Sequence, residues 1–352
     1  EPTLDDGWKE FRGICHSHSE LSHDSSVPFE AILAAAKEAD IQFVFMSDHC
    51  DGNLADYSKG WKGIHDGVLF VRGYEMANGF MPWGLPDRTV LLKDTEPRAL
   101  AAQIEAAGGL LFFAHTEEDR LWDLPELDGM EIYNIHTDFK DEGADAWKEL
   151  LPDIVLSFRR YPEQVLRRIF DVPTAILENW DRMNRTRDIT GIAANDCHQN
   201  QGVYGIYTDE GTLEVHRTEK GNEPWVYDLN ILTRSLLRLL PGPLEAGREV
   251  FRIELDPYAR QMRFVNTHLL APELSEPALL DALDRGRCFI AFDMIADARS
   301  FVFFAEDGAG RKAVMGETAA LAPETRLRAA SPYPVRFRLL RDGEVVAEET
   351  GR

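Results

Sequence analysis

Six short runs of this chain are apolar almost without interruption: FRGIC (11–15), IQFVFMS (41–47), GVLFVRGY (67–74), GLLFFA (109–114), GMEIY (129–133) and ITGIAAN (189–195). A strand with one wet face alternates apolar and polar residues, whereas a strand covered on both faces does not. Between the runs lie helix candidates. SSVPFEAILAAAKEAD (25–40) opens with Ser and Pro start signals, EPRALAAQIEAAGG (96–109) closes on glycines, and GADAWKELL (143–151) and YPEQVLRRIF (161–170) fill later gaps. Strand and helix in repeated alternation predict an α/β fold with a parallel sheet, open or closed into a barrel.

The rhythm breaks from about 200 to 265, a polar, turn-rich excursion that ends in a helix, NILTRSLLRLLPG (230–242). SEPALLDALDRGR (275–287) reads as a short helix with Ser275 as N-cap and Gly286 as terminator. After it come strand–turn–strand patterns, with Asp342-Gly343 as a hairpin signal. The expected organisation is a unit spanning 1–270 that carries the excursion. A linker helix and a small C-terminal β domain, sandwich-like, follow over 271–352. The chain ends on its hairpin, so a longer native chain is an expectation.

Each apolar run delivers a polar ligand type at its carboxyl end. FRGIC leads to His16 and His18, IQFVFMS to Asp48 and His49, and GVLFVRGY to Glu75. GLLFFA leads to His115, GMEIY to Asn134, and ITGIAAN to Asp196 and His198. In parallel α/β sheets that edge is where sites are built. Residues i and i+2 of a strand share a face, so His16 and His18 can grip one ion while Ser17 points away. In CHSHSELSHDS (15–25) a further wall comes from Asp24 or His23. A metal site at the strand ends accounts for all six deliveries together.

The set HSHSELSHDS, FMSDHCDG, GYEM, FAHTEE, EIYN and ANDCH resembles the PHP (polymerase and histidinol phosphatase) superfamily over roughly residues 10 to 200. The β-rich tail after ALLDALDRGR is similar to the carbaryl-hydrolase-like branch. The resemblance implies a distorted (β/α)7 TIM-like barrel, the PHP fold, with two or three divalent ions (Zn, Mn or Fe) in its mouth. It implies a first ion among His16, His18, Glu75 and Asp196. It implies a second, shared through Glu75, with His115 and Asn134, and a third with Asp24, His49 and His198. Spacing favours Asp24 over His23. Asn134 stands where several relatives carry His or Cys, and the loop ANGFMPWG after Glu75 lacks a His that many relatives have there.

Nitrogen and oxygen donors without thiolates suit Zn, Mn or Fe. Paired ions bring the pKa of a bridging water to roughly 7, so a bridging hydroxide needs no Ser or Cys nucleophile. The expected activity is a metal-dependent hydrolase, foremost a phosphoesterase (EC 3.1) on a small phosphorylated molecule. Glu75, Asp196 and His198 are its catalytic candidates. A carbamate, ester or amide hydrolase with the same centre is the alternative, and a non-catalytic metal-binding interaction protein is a third reading. Asp48 is expected to orient His49 rather than to move protons.

Candidate anion contacts are Arg159 in the basic segment SFRRYPEQVLRR, and Arg182 and Arg185 in NWDRMNR. For Arg159, Arg160, Arg167 and Arg168 a solvated helix face is the plainer reading. His65, His136, His216 and His268 read as surface or loop histidines, with His136 the one near the motifs. Glu117 and Glu118 read as solvent-facing, and Phe80 and Trp83 as loop packing or pocket lining. Cys15, Cys50 and Cys197 each adjoin a histidine and are expected to face the surrounding helices as small apolar groups. With Cys288 they lack the spacing of a disulfide framework.

The 61 acidic against 38 basic residues give a net charge of −23, which repels phosphate backbones, so a long nucleic-acid partner is not expected. No run approaches the roughly 20 apolar residues of a membrane span. The first residue is Glu1, which leaves a removed leader, and with it secretion or a periplasmic site, open beside a cytoplasmic default. The expected partner is a small-molecule substrate; oligomeric state is not legible.

Overall fold

A computed structural model of the chain describes residues 4–141, 149–150, 152–153, 156–158, 160–219, 221, 223–237 and 244–352. The helix expected over 143–151 falls largely outside these residues, as do Arg159 and the end of the helix expected over 230–242.

All six apolar runs form strands: Lys9–Ser17, Phe43–Phe45, Val68–Val71, Leu110–Phe113, Leu127–Asn134 and Thr190–Cys197. They pair in parallel. Read across the sheet, their order is third, second, first, sixth, fifth, fourth. Gly63–His65 flanks one edge and Phe80–Trp83 the other, both antiparallel. A single bridge, Gly73 to Trp83, spans the gap between the two edges.

The uninterrupted apolar runs follow from burial of both faces. Cys15, Phe43, Phe45, Leu69, Val71, Phe112 and Ile192 meet Met81 and Trp83 in one cluster. The intervening residues Ile14, Val44, Val68 and Phe70 turn the other way, against Ile32, Ala35 and Ala36 of the helix Phe29–Glu38. The helix Pro97–Ala106 starts where Glu96 accepts the Arg98 and Ala99 backbone N–H groups, and it buries Leu100, Ala101 and Ile104.

Two further strands join this sheet. Asn266–Ala271 pairs antiparallel with Lys9–Gly13, and Cys288–Ala291 pairs with Asn266–Leu269. The helix Glu276–Asp284, expected as a linker, lies between them in sequence and buries Leu279, Ala282 and Leu283 in the cluster around Phe43 and Trp83. It is core, and β-pairing crosses the boundary expected at 270.

The excursion is a four-stranded antiparallel sheet ordered Trp225–Asp228, Thr212–Arg217, Gly202–Tyr207, Glu249–Glu254. Asp256 clasps its base by accepting the Asn200 and Gln201 N–H groups. At the C-terminal end, Val302–Glu306 pairs with Lys312–Val314 and Arg326–Ala330, and Val335–Arg341 pairs with Glu344–Gly351. Asp342 and Gly343 both have positive φ (53° and 80°), as a two-residue type I′ turn requires. No described helix is long and apolar enough to cross a membrane.

Candidate metal centre

The carboxyl ends of the parallel strands converge. His16, His18, Asp24, His49, Glu75, His115, Asp196 and His198 form three overlapping groups whose donor atoms lie within 4.8 Å of one another: His18–Asp24–His49–His198, His16–His18–Glu75 and His16–His115–Asp196. Two short parallel strands, Asp48–His49 and Tyr74–Glu75, bring the second and third deliveries side by side.

Three of these residues have left-handed backbones: His16 (φ 80°), His115 (φ 48°) and Asp196 (φ 48°). Such values are uncommon outside glycine and cluster at functional sites. At His16 the pairing register shifts between Cys15 and Ser17. An irregularity of this kind re-aims a side chain out of strict alternation. Cys15 accordingly packs in the strand cluster with Phe43 and Ile192 rather than against the helix Phe29–Glu38, a correction to what strict alternation leads one to expect. Cys197 does lie with the helix residue Ile32.

Two carboxylates divide the cluster between their oxygens. Glu75 Oε2 stands 3.3 Å from His16 Nε2 and 3.6 Å from both His18 Nε2 and His49 Nδ1, while Oε1 stands 3.2 Å from His115 Nε2. Asp196 Oδ1 stands 3.2 Å from His16 Nε2 and His198 Nδ1 and 3.3 Å from His18 Nε2; Oδ2 stands 3.7 Å from His115 Nε2 and 3.5 Å from His136 Nδ1. Asp24 Oδ2 lies 3.1 Å from His198 Nε2 and 3.3 Å from His49 Nε2. Neighbouring donors on a tetrahedral ion with bonds of roughly 2.0–2.2 Å stand about 3.3–3.6 Å apart.

The chemistry of the donor set fits a cation. His16 and His18 aim Nε2 at Nε2 across 2.9 Å. Asp24 Oδ1, Asp196 Oδ1 and His198 Nε2 are buried without a hydrogen-bond partner. Such orphans are costly unless a ligand satisfies them. Burial disfavours charge on His16, yet Asp196, Glu131 and Glu75 hold its pKa well above the usual range. Burial likewise opposes a cation at His115, but Glu117 and Glu75 push it up to about 11, and at His198, where Asp196 and Asp24 push it up to about 10. Burial, reinforced by His198, holds His18 well below its usual value. The carboxylates thus favour positive charge at this spot, and the grouped donors are of the kind that could hold a metal ion.

Several sequence expectations are corrected here. Asn134 does not offer its oxygen to the cluster. Its Oδ1 accepts the N–H groups of His136 and Thr137 at the start of the helix Ile135–Asp141, and its Nδ2 donates to Glu131. His136, read as a loop residue, is what faces Asp196 instead. Asp48 does not orient His49 through its carboxylate. It accepts from the Ser19 N–H and from the Ser19 and Ser22 hydroxyls, and the Ser22 Oγ lies 3.1 Å from His18 Nδ1. Glu117 is exposed, as expected, yet its Oε1 lies 3.4 Å from His115 Nδ1 and accepts the Thr137 hydroxyl. His23 is exposed and stacks loosely on His49, leaving Asp24 inside the cluster.

Arg182 and Arg185 are exposed and lie at the wrong end. The helix Thr174–Met183 runs down to the start of Thr190–Cys197, while Asp196 is at that strand's far end, roughly 20 Å along the chain direction. Arg160, Arg167 and Arg168 are exposed, Arg168 paired with Asp153. Glu118 is exposed beside Arg120. His65 stacks on Trp61 and His216 on Tyr204, while Phe80 and Trp83 are fully buried core. His268 is no surface residue: it is fully buried between Glu10 and Asp293.

One residue close to the cluster was not anticipated. Glu131, 1% exposed in mid-strand, lies 2.5 Å from His16 Nδ1. A charged residue inside GMEIY, an otherwise apolar run covered on both faces, was the available signal.

No protein-family model and no curated protein matches the chain. Among solved structures it is similar to a two-domain protein from Bacteroides vulgatus ATCC 8482 containing a predicted PHP-like metal-dependent phosphoesterase, at 12% identity and a TM-score of 0.44 over 99% of this chain and 96% of that one. It is also similar to PsfC from Pseudomonas syringae PB-5123, at 13% identity and a TM-score of 0.39 over 80% and 91%.

Proposed function

We propose that the chain is a metal-dependent hydrolase of small molecules, foremost a phosphoesterase, of the PHP type. The observation that carries the reading is the convergence of eight histidine and carboxylate residues at the ends of several strands, with Asp24 Oδ1, Asp196 Oδ1 and His198 Nε2 buried there without a hydrogen-bond partner. His16, His18, Glu75, Asp196, Asp24, His49, His198 and His115 would hold two or three divalent ions, with His136 in the place expected of Asn134. Bound divalent ions supply an ionised water near neutral pH and a positive clamp on the attacked group.

The chain's own residues do the rest. Glu75 and Asp196 each present one oxygen to each half of the cluster, which keeps like charges close. Ser22 and Asp48 hold His18, and Glu117 holds His115. His198 donates through Nδ1 to the Asp196 backbone carbonyl at 3.0 Å, which turns its Nε2 toward Asp24 and the cluster. A distorted barrel is part of the proposal. The cyclic strand order and the shared cluster of Phe45, Val71, Phe112 and Ile192 support it. So is a division into a metal-bearing unit and a β-rich C-terminal part, with the strand Cys288–Ala291 drawn to the first.

A second reading, carbamate, ester or amide hydrolysis by the same centre, is favoured by one observation. Among the described residues, the cavity of about 330 Å³ beside His115 is lined by Thr116, Glu117, Asn134, Thr137, Asp138 and Asp171, together with Val172–Ile176, and has no arginine or lysine for a phosphate. Hydrolysis of generic phosphate, carbamate and carboxylic ester substrates by Mn²⁺-, Zn²⁺- or Fe²⁺-reconstituted protein separates the two. Turnover of phosphoesters alone supports the first, turnover of the others alone the second, and silence across the panel with metal bound leaves a non-catalytic metal protein.

A further inference from the structure

Every hydrogen-bond contact of the Glu131 carboxylate is to the candidate metal cluster or its immediate support. Oε1 lies 2.5 Å from His16 Nδ1, and Oε2 accepts the His115 backbone N–H at 2.8 Å and the Asn134 Nδ2 at 3.0 Å. These three partners come from the ends of three different strands. One buried side chain thus joins His16, which belongs to two of the donor groups, to His115, which belongs to one of them, and to the cap that starts the helix bearing His136. Among the described ion pairs of Glu131, none involves an arginine or lysine, so its negative charge is directed at the cluster.

We infer that Glu131 is the positioning residue of the metal centre, a carboxylate that sets the ring of His16 and the backbone of His115 together; the inference rests on the metal reading above. The physics is specific. An acceptor on Nδ1 fixes the tautomer that carries the proton there, which leaves the Nε2 lone pair facing Glu75 and Asp196. The second oxygen holds the His115 N–H, whose residue has a left-handed backbone that an unbraced chain would relax. A buried carboxylate kept only for packing would be replaced by an apolar side chain with little loss or a gain in stability. A positioning carboxylate cannot be replaced without loosening the ions.

The test is uptake of Mn²⁺, Zn²⁺ and Co²⁺ by the full chain, measured as bound metal against buffered free metal and, for Co²⁺, by its visible absorption. Outer carboxylates of this kind contribute about 10–100-fold to affinity. E131A is expected to weaken at least one ion by that factor and to alter the Co²⁺ spectrum. E131Q keeps an acceptor for His16 but turns an NH₂ toward the His115 N–H, and is expected to fall between E131A and wild type. If either variant, folded by circular dichroism, takes up every ion with wild-type affinity and spectrum, the inference is overturned. Should E131A not fold, E131Q decides alone on the same criteria. A wild type that binds none of the three ions overturns the metal reading and this inference together, whereas uptake unchanged by the substitutions removes only the role of Glu131.

Discussion

The strand Lys9–Ser17 carries a histidine–carboxylate cluster at each end, and the two are built on opposite principles. At the start, Glu10 Oε1 lies 2.6 Å from His268 Nδ1 and Asp293 Oδ2 lies 2.8 Å from its Nε2. Arg12 stands 3.7–3.9 Å from Asp40, Asp293 and Asp297 and donates to the Ala39 and Asp40 carbonyls. Both ring nitrogens of that histidine are satisfied, and a fixed cation balances the acids. At the far end, imidazole faces imidazole, and two buried carboxylate oxygens and one imidazole nitrogen have no hydrogen-bond partner. Histidine beside aspartate and glutamate is thus no mark of a metal centre in itself. What separates the clusters is whether the lone pairs are already used.

The contrast is sharpest under substitution. His16→Ala or Glu75→Ala is expected to take metal-dependent turnover to background and to lower bound metal, with the far-ultraviolet circular dichroism unchanged. Activity retained in either variant would remove the site assignment. His268→Ala is expected to do the reverse. It leaves two carboxylates without their partner, a destabilisation of roughly 3 kcal/mol in denaturant titration, with metal content unaltered. Equal metal loss in both would collapse the distinction.

Chelation probes the same divide without mutation. Stripping divalent ions with EDTA should lower Tm, by the equivalent of about 2.7 kcal/mol where free metal had stood at 100 times Kd. His268→Ala should shift by the same amount, since both ring nitrogens of His268 already have carboxylate partners.

The smallest expected effect is a pH dependence. Burial opposes charge on His268, but Asp293 and Glu10 raise its pKa above the ordinary histidine value. A group that binds its proton more tightly when folded lends stability that is complete below its unfolded pKa of about 6.5 and fades as pH rises through the folded value. The stability gap between wild type and His268→Asn should therefore narrow above pH 6.5. A gap constant from pH 5.5 to 9 would mean that folding leaves the pKa of His268 unchanged.

How much of this was legible follows from what a sequence encodes locally. The strands could be read because burial of both faces removes polar interruptions, as in Phe43–Phe45 and Leu110–Phe113. The convergence of His16, His18, Asp24, His49, Glu75, His115, Asp196 and His198 could be read because the same edge of each strand recurs. Local backbone chemistry could not. Asn134 has a ligand's side chain but also an N-cap's, and two backbone N–H groups won the competition for its oxygen. Strict alternation misplaced Cys15 because a register shift beside His16 interrupts it. Arg182 and Arg185 were judged by nearness in sequence to Asp196, yet a helix followed by a whole strand separates them from it. The pairing of His268 with Glu10 spans 258 positions and leaves no short-range trace.

The left-handed backbones at His16, His115 and Asp196 carry a consequence for the protein's evolvability. Each holds a side chain where glycine would rest more easily, at about 1 kcal/mol or more apiece. Glycine at these three positions would release that backbone strain but leave the surrounding carboxylates or imidazoles without their partners, so it should erase metal uptake without raising the melting temperature. The unfavourable backbones are thus locked in by the very donor set they aim, and a laboratory selection for heat resistance alone would have no easy path through them.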